Sequence, residues 1–156
     1  MAIASEICNS FKQEILVEGH NFTSSTGGDF KLALYSSNTA SLGKATTQWT
    51  VASDPSATPT DTYEVSTDST GYSSGGNTLT STTPVVNVDS ACCLFATTSW
   101  GSTASFTARG CLIYNSTNAN KSVCAINFGA DKTVTTGTFT IEFPAQTATN
   151  AIIEIT

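Results

Sequence analysis

Charged residues are scarce in this chain. Asp, Glu, Lys and Arg make up 12% of its 156 residues, about half the share of an ordinary soluble domain. Only six residues are cationic, and Arg109 is the single arginine. Cations spread this thinly form no basic stripe, so no nucleic-acid partner is expected. Twelve acidic residues leave a net charge of −6. No apolar run approaches the ~18 residues of a membrane helix, so no membrane partner is expected either. A secretory leader is not expected, because Glu6 precedes Lys12 and no long apolar stretch follows.

Histidine is nearly absent. With His20 alone, and no Cys-His spacing, neither a zinc site nor a histidine-based catalytic centre is expected. Gly71-Tyr72-Ser73-Ser74-Gly75 matches the GxSxG pattern of a nucleophile elbow. That motif must open a helix, and Gly76-Asn77-Thr78-Leu79 does not. His20 also precedes the serine instead of following it. The segment is therefore expected to be a turn between strands. His20 is read as a structural residue at a helix end, where its charge complements the helix dipole. Glu142 and Glu154 are read as solvated strand residues, and no phosphate loop or dinucleotide fingerprint occurs. The chain is expected to be non-enzymatic, with no cofactor and no metal.

The five cysteines, Cys8, Cys92, Cys93, Cys111 and Cys124, are odd in number and lack CxxC spacing. They are expected to be small buried hydrophobes in a reducing environment.

Hydroxyl residues take the place of charge: roughly a third of the chain is Thr or Ser. Threonine suits a strand, because its branched Cβ fits the pleat while its hydroxyl faces water. The N-terminus is the one helical pattern. Ile3, Ile7, Phe11 and Ile15 recur every four residues, with Ala4, Cys8 and Leu16 beside them and Gly19 as C-cap. After Asn21 the period becomes two. Phe30–Tyr35, Val85–Val88 and Ala91–Phe95 read as strands. In 104–114, Phe106, Ala108, Gly110, Leu112 and Tyr114 are expected on one face and Thr107, Arg109, Cys111 and Ile113 on the other. Ser122–Phe128 reads as a strand stopped by Gly129, with a turn at Asp131-Lys132 before a further strand over Thr138–Phe143. Residues 36–62 read as a long polar excursion.

The expected fold class is all-β: an antiparallel β-sandwich, jelly-roll or immunoglobulin-like, with one N-terminal α-helix. Residues 1–20 form the helical segment, read as a docking element, and residues 21–156 form a single β-sandwich domain. Candidate interface residues are Ile3, Ile7, Phe11 and Ile15 on the helix, Arg109 in the strongest strand, and the aromatics Trp49 and Trp100. Trp49, Trp100, Tyr63 and Tyr72 fall in loop-like stretches, where rings either anchor cores and interfaces or stack on sugars.

Several of these segments carry a family resemblance. They are Asn9-Ser10-Phe11-Lys12, Gly28–Tyr35, Gly71-Tyr72 with Gly75–Leu79, Ala104–Gly110 with Leu112–Asn115, Phe128-Gly129 with Asp131-Lys132, Gly137–Ile141 and Ala151–Ile153. Over nearly the whole chain the sequence resembles a set of small tailed-bacteriophage virion structural proteins. The resemblance implies a capsid decoration, or cement, protein made in the host cytoplasm and located in the virion. Its partner would be the major capsid protein or another virion protein, and it would be a homo-oligomer, with a trimer fitting the symmetry of such sites. A tail, neck or fibre-associated protein and a host-surface glycan-binding module are the alternatives. The matching motifs mark strands and turns and bring no catalytic residue.

Overall fold

The computed structural model describes residues 2–36, 42–49, 63–67, 69, 71–87, 89–144 and 151–155. Val88 and most of the expected excursion lie outside the described residues. The fold is all-β, with one short helix and two antiparallel sheets packed as a sandwich, as the sequence pattern leads one to expect. In chain order the elements are β1 (Glu6–Ile7), α1 (Asn9–Glu14) with a 3₁₀ turn at Ile15–Val17, β2 (Phe30–Tyr35), β3 (Asn77–Thr78), β4 (Val85–Asn87), β5 (Ser90–Cys93), β6 (Thr98–Asn115), β7 (Lys121–Ile141) and β8 (Ile153–Ile155).

The larger sheet has the order β1-β7-β6-β2-β3, and the smaller has the order β4-β5-β8. The long β6–β7 hairpin is the backbone of the domain. Its turn carries Ala119 (φ 49°) and Asn120 (φ 57°), both left-handed. β2 pairs along the end of β6 nearest this turn, from Phe30 opposite Asn115 to Tyr35 opposite Gly110. Both faces of this part of the sheet are buried. Phe30, Leu32 and Leu34 of β2 face the main core with Cys111 and Ile113, while Ala33 and Tyr35 face a second core with Leu112 and Tyr114. The main core continues into the smaller sheet through Cys93 and Ile153 and holds a ring stack, Phe22 on Phe30 at 4.3 Å.

Three expectations need correction. The first concerns the face pattern of β6. Phe106 and Ala108 lie in the main core with Cys111 and Ile113, whereas Leu112 and Tyr114 lie in the second core. Register explains the change: Ala108 sits opposite Lys132 but Gly110 opposite Asn127. A bulge at Arg109, answered by extra residues in β7, turns the strand over.

The second concerns Gly129, which does not end its strand. Its φ of 77° places it in that same bulge, and β7 runs on to Ile141 without the expected turn at Asp131-Lys132. Glycine serves a bulge for the reason it serves a turn, since a left-handed backbone carries no Cβ penalty there.

The third concerns the N-terminal helix, which is only six residues long. Ile3 precedes all regular structure, and Ile7 pairs with Cys124 in a strand. The left-handed residue at the helix end is Glu18 (φ 59°), not Gly19. Gly19 donates its N–H to the Glu14 carbonyl at 2.7 Å, and a Cβ there would lie 2.8 Å from that same oxygen.

Candidate functional site

The period-four residues do not form one exposed stripe. Ile3 is 2% exposed and fills the second core beside Ala33, Tyr35 and Leu42. Phe11, also 2% exposed, sits in the main core with its ring 4.9 Å from that of His20. Ile7 and Ile15 are half-buried against the main core. Four apolar residues expected on one docking face are thus consumed by the chain's own two cores. What the N-terminal segment exposes is Leu16 (83%) and Val17 (71%), on the 3₁₀ turn.

Arg109 stands at the β6 bulge, with Nη1 3.6 Å from Asp131 Oδ1 across it. The carboxylate is largely exposed, so the pair contributes little in water. Its Nε is buried without a hydrogen-bond partner among the described residues.

The aromatic candidates divide. Trp100 is 3% exposed and packs against Tyr72, Phe106 and Phe139. Tyr72 is also core, and of the four rings only Tyr63 is exposed. Trp49 is half-buried: it stacks on Tyr114 at 5.3 Å and donates from Nε1 to Glu64 Oε2 at 3.2 Å. Glu64 organises this corner. Its Oε1 accepts from Tyr72 Oη at 2.7 Å and from the Gly75 N–H at 2.6 Å. Tyr72 Oη in turn accepts the Leu34 N–H at 3.0 Å. Burial first, and the Glu64 carboxylate second, push the Tyr72 hydroxyl well above its ordinary range, so it remains a donor. The sequence offered no pointer to Glu64, because Trp49 on one side and the Tyr72–Gly75 turn on the other meet it only in the fold.

The GxSxG segment is a turn, with Gly71 (φ 82°) and Gly75 (φ 80°) left-handed, and it leads into β3. His20 lies elsewhere, its side chain fully buried between Glu14 and Asn115. All five cysteines are buried. Burial pushes the Cys8 and Cys93 thiols up to about 12, and Cys111 and Cys124 upward as well. Among the described residues no group of three or more His, Cys, Asp or Glu is placed to hold a metal ion.

Two surface features remain. An open cleft of about 570 Å³ runs along β7, lined by Ile126, Phe128, Phe139, Ile141, Phe143 and Ile152. The smaller sheet carries an apolar row across all three of its strands. Val86 pairs with Ala91, and Ala91 pairs with Ile155. One register row therefore holds Val86 at 79% exposure, an exposed Ala91, and Ile155 at 52%. Facing directions alternate along a strand, so these three share a face. That face is the continuation of Cys93 and Ile153, which are buried in the main core. The apolar side of the small sheet thus begins inside the domain and emerges at the surface.

No family model, curated protein or solved structure matches this chain.

Proposed function

We propose that this chain is a non-enzymatic structural protein of a tailed-bacteriophage virion, and specifically a capsid decoration protein lying across joints between major capsid subunits. The observation that carries the reading is the exposed Val86–Ala91–Ile155 row. Burying such side chains against a neighbour stabilises a contact by about 1.5–3 kcal/mol for each Val or Ile. The surroundings support it too. A surface built from Thr and Ser, with only 12% charge in the chain, loses little hydration when covered by another protein. The sequence resemblance to virion structural proteins supplies the identity of the neighbour. In this reading the protein acts as a homo-oligomer on the particle, and the docking face is the small sheet, with Leu16 and Val17 as a second contact.

The test is binding to particles that lack this protein. Val86→Asp combined with Ile155→Asp places two charges on the row without touching either core. Binding should weaken at least about tenfold, the equivalent of 1.4 kcal/mol, while thermal stability stays close to wild type. Undiminished binding of the folded double variant would contradict the assignment.

A further inference from the structure

His20 is buried among aromatic rings, and its partners fix its protonation state. Its side chain is 0% exposed. Phe11 lies 4.9 Å from the imidazole, with Phe30 at 6.3 Å and Phe22 at 6.4 Å between ring centroids. Nε2 is 2.8 Å from Glu14 Oε2, and Nδ1 is 3.3 Å from Asn115 Nδ2. The Asn115 amide cannot turn over freely. Its Oδ1 accepts the backbone N–H groups of Thr117 at 3.1 Å and Asn118 at 3.2 Å. Reversing it would leave those donors without a partner. Asn115 therefore presents its NH₂ end to the imidazole. Nδ1 must accept, and the single ring proton sits on Nε2, donating to Glu14. A doubly protonated ring would set an Nδ1–H against the NH₂ of Asn115, with phenyl rings where water would be needed.

The same cluster ties the N-terminal segment to the β6–β7 turn. Glu14 ends α1 and reaches Lys121 Nζ at 3.2 Å through its other oxygen. Asn118 Nδ2 donates to the Gly19 carbonyl at 2.6 Å. The charged groups facing His20 are thus Glu14, from the helix, and Lys121, from β7. Glu14 favours the imidazolium and Lys121 opposes it.

We propose that His20 is an acid-sensitive latch: its protonation breaks the His20–Asn115 contact and loosens the Glu14–Gly19 end of the helical segment from the β6–β7 turn, while Phe11 stays in the main core and the sheets stay folded. The proposal goes beyond the decoration reading and does not depend on it. Burial, its largest cause, lowers the His20 pKa below the ordinary 6.5 in the closed form. An opened His20 returns to about 6.5. The closed form is therefore at full stability well above pH 6.5 and loses ground as pH falls toward the lowered value, by at most about tenfold in the closed-to-open ratio per pH unit.

Amide hydrogen exchange between pH 7.5 and 5.5, above the ordinary carboxylate range, tests this. After correction for intrinsic rates, the Gly19 amide should open more readily at pH 5.5 than at 6.5, by at most about fivefold. The amides of Leu112 and Ile113 should not change. In His20→Gln the pH dependence should vanish. Unchanged protection in the wild type, equal loss in the sheet, or the same pH profile in His20→Gln would overturn the proposal. If His20→Gln does not fold, the wild-type imidazole ¹⁵N titration decides. A protonated Nε2, a bare Nδ1 and a midpoint below 6.5 support the latch; the other tautomer, or a midpoint at or above 6.5, overturns it.

Discussion

Phe106 and Leu112 lie six residues apart on β6 and should share a face, yet they pack into different cores. The bulge at Arg109 separates them, and the chain changes sides between Ala108 and Gly110. A single irregularity thereby lets one long strand serve two cores: its far half supports the sandwich, and its near half closes against the N-terminal residues. Each half exposes a different consequence to test.

Gly110 is where the strand passes close to its neighbours. A Cβ there would lie 2.5 Å from the Ile126 carbonyl oxygen and 3.0 Å from Ile3 Cδ1. Gly110→Val should destabilise the domain by about 1–3 kcal/mol through overpacking, measured by urea denaturation. Gly101, with open space around its Cβ position, should accept alanine with little change.

The N-terminal residues should behave as core, not as a detachable arm. Phe11→Ala should cost about 3–5 kcal/mol and Ile3→Ala about 2–5 kcal/mol. Leu16→Ala and Val17→Ala, at exposed positions, should stay within about 0.5 kcal/mol. Thermal melts of the four variants check this. Deleting residues 2–17 should weaken the whole domain, because it removes Ile3 and Phe11 from two cores at once.

Tyr72 connects Glu64 to β2 through its hydroxyl. Tyr72→Phe leaves the Leu34 N–H without its acceptor and removes one donor to a carboxylate. Its expected cost is about 1–3 kcal/mol, read from the denaturation midpoint at constant slope.

The thiols should be silent in the native state. Cys8 and Cys93, pushed up to about 12 by burial, hold almost no thiolate at pH 8, and all five cysteines are buried. A thiol reagent at pH 8 should modify none of them within minutes, and all five once the chain is unfolded.

What the sequence made legible follows from how local each signal was. Phe30–Tyr35 alternates without interruption, so its pattern gave both the strand and its two faces. The β6–β7 pair was legible as strand but not as register, because a bulge glycine and a turn glycine look alike and Gly129 is the former. Ile3, Ile7, Phe11 and Ile15 satisfy a spacing of four while crossing a strand, a helix and a 3₁₀ turn, so periodicity named buried residues but assigned them the wrong element. The Val86–Ala91–Ile155 row could not be seen at all. It exists only once β8, from the end of the chain, is paired with β5. Glu64 and the Asn115 partner of His20 depend in the same way on distant segments meeting.

The central claim is a place in a particle, and a cryo-electron reconstruction of a virion carrying this chain tests it most directly. The account predicts density for this fold repeated over the joints between major capsid subunits, with Val86, Ala91 and Ile155 turned toward the shell. Density confined to the tail or neck, or a small sheet facing solvent in every copy, would contradict it.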